Sequence, residues 1–325
     1  MTRRFLVAPD SFKGTFAATE VAAAIGRGVA AAGAEADLCP AADGGEGTAA
    51  AVAGALGGTS VRMGVQDPLG RSIEADFVLL QDGETAVVDT ASASGLPLIE
   101  PTEKNAERAS TFGTGELIVA AVAAGARTVI LAAGGSATTD GGSGAIEALR
   151  SGGGLGGASL HILCDVTTPF ERAAEVFAPQ KGAGPATVEH LAERLDRFAA
   201  TLPRDPRGVP MSGCAGGLSG GLWAAFGAAL EPGADHVLEL LGFEARLAAA
   251  DAVISGEGRL DDQSFTGKIV GRIAAACADA GKPLHLLVGQ DRHNPATAAG
   301  LSIASVQEAQ TLAGLSRAAE SIAAC

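Results

Sequence analysis

Five lysines are all that this chain of 325 residues carries, and three sit beside a glycine in short motifs of small and polar residues. These are Asp10-Ser-Phe-Lys-Gly14, Pro179-Gln-Lys-Gly182 and Phe265-Thr-Gly-Lys268. Glycine lets backbone N–H groups approach an anion closely, and an ammonium adds a compact positive charge. Lys13, Lys181 and Lys268 therefore point to a phosphate or carboxylate site. Carboxylates gather in the same kind of setting. Ala8-Pro-Asp-Ser-Phe-Lys-Gly14, Ala42-Asp-Gly-Gly-Glu-Gly-Thr48, Gly134-Gly-Ser-Ala-Thr-Thr-Asp-Gly-Gly142 and the run from Ser255 to Lys268 each mix acids, glycines and hydroxyls where a strand passes to a helix. One such loop is ordinary turn and cap chemistry. Four of them, three after strands, predict a shared site.

Other motifs fail on context. Gly152-Gly-Gly-Leu-Gly-Gly157 matches G-x-G-x-x-G but precedes a strand, whereas a dinucleotide fingerprint follows one. Gly217-Leu-Ser-Gly-Gly221 matches G-x-S-x-G but lacks the strand of a nucleophile elbow. It reads better as a glycine-rich helix N-terminus that could receive a phosphate. A hydrolase at Ser219 stays as a minor alternative. Ile269 follows Lys268 where a Walker A motif needs Ser or Thr, and the protein-kinase signatures are absent. The five histidines form no H-x-x-x-H pair.

The elements that must position these loops read as α/β. Phe5–Ala8 is a buried strand, Ala17–Ala32 a helix, Ala36–Leu38 a strand and Thr48–Leu56 a helix. Ser60–Val65, Ser72–Leu80 and Thr85–Thr90 form an antiparallel meander across the turns Asp67-Pro-Leu-Gly70 and Gln81-Asp-Gly83. Helices at 115–124, 144–149 and 186–200 and strands at 128–132 and 159–166 follow, then helices at 218–230 and 234–249 around Pro232-Gly233. Strands at 251–255, 283–288 and 301–306 and helices at 267–280 and 312–323 close the chain. The reading is two α/β domains. A parallel-sheet domain takes residues 1–58 and 234–325 from both chain ends, and an inserted mixed-sheet domain takes 59–233. The site is expected in the cleft between them.

The net charge of −14 argues against nucleic acid and anionic membranes, which need basic patches. Five spaced cysteines without a CxxC pair fit a reducing cytoplasm, and the apolar run after Arg3-Arg4 is too short for a signal peptide. The stretch from Leu117 to Ala133 is broken by Gly125 and Arg127 and is not a membrane span. Oligomeric state is left open, with room for a homodimer.

The chain resembles the type-1 glycerate kinases. The segments that carry the resemblance are APDSFKG, ADGGEGT, GGSATTDGG, CDVTTP with PQKGA, SGCAGGLSGGL and DAVISGEGRLDDQSFTGK, in the family's order and through almost the whole length. The resemblance implies a flavodoxin-like domain among two α/β domains, and phosphorylation of D-glycerate by ATP with Mg2+, usually to 2-phosphoglycerate. For such chemistry, metal or base work is expected of Asp10, Asp43, Glu46, Asp140, Glu257 and Asp261, with Asp43, Asp140, Asp261, Lys13 and Lys268 as the catalytic set and Asp43, Asp140 and Glu257 as the metal ligands. Substrate and ATP would be held by Asp10, Ser11, Gly44, Gly45, Glu46, Gly135, Ser136, Thr138, Lys181, Gly217, Glu257 and Arg259. Which carboxylate is the base stays open. The chain departs from the family at Thr139, where Asn is usual, just after Lys268, and in shortened stretches at 149–159 and 169–176. Those deletions keep two alternatives in view: a non-catalytic glycerate- or nucleotide-binding protein, and a kinase for another small hydroxy acid.

Overall fold

A computed structural model describes residues 2–265, 268–297 and 300–325. The chain forms two compact units, Met1–Asp43 with Ala50–Gly57 and Ala234–Cys325, and Gly44–Ala49 with Gly58–Gly233. Both are α/β. Among the described residues no helix is long and apolar enough to cross a membrane.

In the unit built from both chain ends, five parallel strands lie in the order Ile303–Glu308, Leu284–Val288, Ala252–Ser255, Arg4–Val7, Glu35–Leu38. Numbered along the chain this is 2-1-3-4-5, the flavodoxin-like order. Phe5, Leu6 and Val7 are all fully buried, so both faces of that strand are covered. Val21, Ile25 and Val29 of helix Ala18–Ala31 pack onto one face with Leu315 and Ala319 of helix Leu312–Ala324. A Cβ at Gly28 would stand 2.0 Å from the Ser316 carbonyl oxygen, so glycine is what lets these two helices meet. The strand order reverses between Arg4–Val7 and Ala252–Ser255. Ligands in open parallel sheets bind outside the carboxyl ends at such a reversal. The Asp10 and Glu257 loops leave the sheet there, tied by the Asp10 N–H donating to the Gly256 carbonyl at 2.8 Å.

The other unit has a six-stranded sheet in chain order: Gly58–Gln66, Ser72–Leu80, Thr85–Asp89, Thr128–Ala132, Ser159–Cys164, Ala229–Pro232. The first three are antiparallel and the last four parallel, the mixed sheet expected from a meander followed by βα repeats. The first turn is held by Asp67, whose carboxylate accepts from the N–H groups of Leu69 and Arg71. Gly44–Ala49 packs with this unit because the buried Asp89 carboxylate accepts from the N–H of Gly47 at 2.9 Å and of Ala49 at 3.0 Å.

One helix ends earlier than its apolar run suggests. Leu218–Phe226 stops at Gly227, which takes φ +75° as a left-handed cap, and Ala229–Pro232 becomes the sixth strand instead of a continuation. The second break falls at Gly242, also left-handed. Within the shortened stretch at 149–159, residues 152–157 form turns between helix Ser143–Ser151 and strand Ser159–Cys164, with open space around Gly153, Gly154 and Gly157. The shortened stretch at 169–176 holds buried Phe170, Ala173 and Ala174 in a small core of its own.

Candidate functional site

In the flavodoxin-like unit the strand-end loops bring Asp10, Asp43 and Glu257 within electrostatic reach of one another. All three are buried, at 8%, 6% and 8% exposure. Burial, together with the charges of Asp43 and Glu257, pushes the Asp10 carboxyl up to about 7, against the Ser11 N–H it accepts at 2.6 Å and the nearby Lys13. Glu257 is also raised, chiefly by burial, while the Ser264 hydroxyl, Lys268 and Lys13 pull it down. The ammonium of Lys13 lies 3.8 Å from Asp43 on an exposed stem. Lys268 is the N-cap residue of helix Ile269–Asp279; Thr266 and Gly267 of its motif lie outside the described residues. Glu257 Oε1 is buried without a hydrogen-bond partner among the described residues. The unsatisfied Glu257 Oε1 is a hard oxygen donor of the kind Mg2+ takes, although among the described residues Asp10, Asp43 and Glu257 do not bring their ligand atoms all within 4.8 Å of one another.

Ser11 is half-buried beside this group. Arg259 and Asp261 pair with each other at 3.6 Å, and Asp261 Oδ1 caps the turn after it by accepting from the Gln263 N–H. Asp261 adds its charge to Glu257 and makes no hydrogen bond to it among the described residues.

The second unit carries a cavity of about 260 Å³ at the carboxyl ends of strands Thr128–Ala132 and Ser159–Cys164. Gly134, Gly135, Ser136, Asp165, Lys181 and Cys214 are among the residues that line it. Lys181 is 2% exposed and donates to Ser136 Oγ at 3.1 Å and to the Thr138 carbonyl at 2.5 Å. Burial pulls its ammonium down to about 8. The position of Lys181 depends on Gly182, at φ +97°, where a Cβ would stand 2.3 Å from the Pro101 carbonyl carbon. The Ser136 loop is pinned by the Ala137 N–H donating to the Ser94 carbonyl and the Leu96 N–H to that of Gly135. Close by, Gly44 lies against Leu163, and Glu46, exposed, approaches Gly135. The Gly45 carbonyl accepts from the Thr48 hydroxyl.

Asp140 needs correction. Its Oδ2 accepts from the Thr111 N–H, the Thr111 hydroxyl and the Gly144 N–H, and its Oδ1 from the Gly142 N–H, at 2.8 to 3.2 Å. Three donors saturate Oδ2 and one engages Oδ1, so most of the carboxylate's acceptor capacity is spent inside the protein. Asp140 is a cap for helix Ser143–Ser151. Gly217 is likewise a packing position, with a Cβ meeting Phe170 and Gly141. Gly216 sits 2.0 Å, by the same measure, from the Thr138 carbonyl oxygen. The chain is folded onto itself there, so this helix N-terminus is filled by protein. Ser219 is fully buried with its hydroxyl on the Met211 and Cys214 carbonyls, which removes the hydrolase alternative.

Asp89, Asp165 and Cys214 were not anticipated. Asp89 and Asp165 end or follow buried strands, the same signal that marks Asp10, and Cys214 lies in the quoted SGCAGG segment.

Buried acids lie near Lys13 and Lys268 at the flavodoxin-like switch point, and Lys181 lines a cavity in the second unit. The family follows from likeness to known proteins. The glycerate kinase family profile matches residues 5–154 and 153–323, and the chain belongs to that family. It is 37% identical to the glycerate kinase of Halalkalibacterium halodurans, over 87% of this chain and 84% of that one. Identity to the glycerate 2-kinase of Escherichia coli is 35%, over 88% and 85%. A crystal structure of a candidate glycerate kinase 2 from Salmonella typhimurium LT2 superposes with a TM-score of 0.87 at 32% identity, covering 100% of this chain and 98% of that one.

Proposed function

We propose that this protein transfers the γ-phosphoryl group of ATP to the C2 hydroxyl of D-glycerate, giving 2-phosphoglycerate, with Mg2+. The observation that carries this reading is the buried group of Asp10, Asp43 and Glu257 beside Lys13 and Lys268. Phosphoryl transfer leaves little covalent work to a protein; it needs positioning and charge stabilisation. Lys13 and Lys268 would hold phosphate oxygens. Asp43 and Glu257 would hold Mg2+, which when bound neutralises charge on the phosphates. Asp10, held near neutrality, is suited to accept the proton of the attacking hydroxyl. The likeness to the Escherichia coli glycerate 2-kinase supports the C2 position. Five free cysteines, four of them buried, support a cytoplasmic setting.

The test is phosphorus NMR of the protein with ATP, Mg2+ and D-glycerate. A phosphomonoester coupled to the C2 proton is expected. Coupling to the C3 protons would move the reaction to the other hydroxyl. ATP binding without any phosphoglycerate would overturn the proposal.

A further inference from the structure

Building on the reading of this chain as a glycerate-phosphorylating enzyme, we propose that the cavity around Lys181 is the pocket for the carboxylate of the hydroxy acid and does not hold the nucleotide. Size is the first ground. At about 260 Å³ the cavity lies below the range of about 300–1,000 Å³ typical of sites for drug-sized ligands. Glycerate has seven non-hydrogen atoms and ATP thirty-one.

Charge is the second. Lys181 is buried, and its two hydrogen bonds among the described residues go to neutral oxygens, Ser136 Oγ and the Thr138 carbonyl. An ammonium has three donors, so one is left for a ligand. Burial has already lowered its proton affinity, and a carboxylate in the cavity would restore it. The cation is thus stabilised when an acid binds. Ser136 Oγ accepts from Lys181, which leaves its own hydrogen free to donate to the same carboxylate.

The third ground is Asp165, which lines the cavity from the end of strand Ser159–Cys164. A carboxylate there can accept from a ligand hydroxyl. One buried cation, one hydroxyl and one acid in a small cavity match a short hydroxycarboxylate.

The test compares Lys181→Met and Ser136→Ala with wild type. Three quantities are measured: KM for D-glycerate, the Kd of a non-hydrolysable ATP analogue with Mg2+, and inhibition by the neutral amide of glycerate. Lys181→Met should weaken D-glycerate at least about 30-fold, the effect of removing one partner of a buried charge pair. Ser136→Ala should weaken it by about 3- to 10-fold. The ATP-analogue Kd should stay within about twofold, and the amide should inhibit wild type and Lys181→Met equally. Ser136→Ala, the smaller change, decides the matter if Lys181→Met fails to fold. Loss of analogue affinity with KM for glycerate unchanged would overturn the assignment, as would no effect on either. Wild-type turnover of glycerate with an unaltered KM in both variants refutes the pocket and leaves the kinase reading standing. Calorimetric binding of glycerate that depends on Lys181, without any phosphorylation by wild type, supports the pocket and refutes the kinase reading.

Discussion

Asp140→Ala should destabilise the inserted unit without any specific effect on chemistry. The side chain is 8% exposed and receives four hydrogen bonds, three of them from backbone N–H groups at Thr111, Gly142 and Gly144. Each buried donor left unpaired costs about 1–3 kcal/mol, and a lost helix cap alone about 1 kcal/mol. Partial access of water favours the lower end, so about 3–5 kcal/mol is expected. Asp140→Asn is the discriminating variant. An amide oxygen at the Oδ2 position keeps the three donors found there and loses only the Gly142 N–H, a cost of about 1–2 kcal/mol. The chain's single tryptophan gives the assay, since Trp223 lies in this unit with the Arg204 guanidinium 4.2 Å from its ring. Urea unfolding followed by its fluorescence should show a midpoint about 1.5–2 M lower for Asp140→Ala. The smaller shift of Asp140→Asn should come with near-normal kcat at low temperature. An Asp140→Asn variant as stable as wild type but at least about 100-fold slower would refute the cap and restore a catalytic role.

Three further outcomes are expected. Asp43→Ala and Lys268→Ala should each lower turnover at least about 100-fold with circular dichroism unchanged, because charge stabilisation in a sequestered site is worth several kcal/mol; near-normal rates in both would displace the site from the flavodoxin-like unit. Adding Mg2+ to wild type should raise its melting temperature through linkage, and Glu257→Gln should abolish the rise; an equal rise in the variant would remove Glu257 from the metal ligands. Burial raises Asp89 to about 6 from an ordinary 3.8, so its contribution to stability is complete below pH 4 and is lost as pH climbs through 6, a change of about 2–3 kcal/mol. Relative to Asp89→Asn, wild type should therefore be more stable at pH 4.5 than at pH 7.5, and a constant difference between the two would contradict the shift.

Where periodicity and turn chemistry agreed, the elements were legible. Strand Thr128–Ala132 and helix Thr48–Leu56 fall on the residues their patterns mark, and the Asp67-Pro-Leu-Gly70 turn closes the predicted hairpin. Ala228-Ala-Leu230 misled because an apolar run so short satisfies either period; the left-handed Gly227 decided it, and a sequence does not show the sign of φ. The short helices Thr90–Ser94 and Glu103–Arg108 carry too little periodicity to register. Glu103–Arg108 is started by its own N-cap, the Thr102 hydroxyl accepting from the Asn105 N–H.

The site was legible as residue types and not as roles, for a physical reason. An aspartate before glycines can hold a ligand or cap a helix, and the two uses need the same local sequence. Asp10 and Asp140 each lie after a strand, beside small residues, and each is 8% exposed. What separates them is how many donors the fold supplies. Asp140 meets four, two from its own loop and helix start and two from Thr111, and is spent on the fold. Burial, with two other acids nearby and only one N–H donor, raises the proton affinity of Asp10 to the neutral range. Lysine is sorted by the same test. Lys282 is spent on the Ala250 carbonyl beyond the end of helix Phe243–Ala249, whereas Lys181 is buried with a donor to spare at the wall of a cavity. An acid with unsatisfied oxygens and a cation with an unused donor are the states that a ligand completes, and only the fold reveals them.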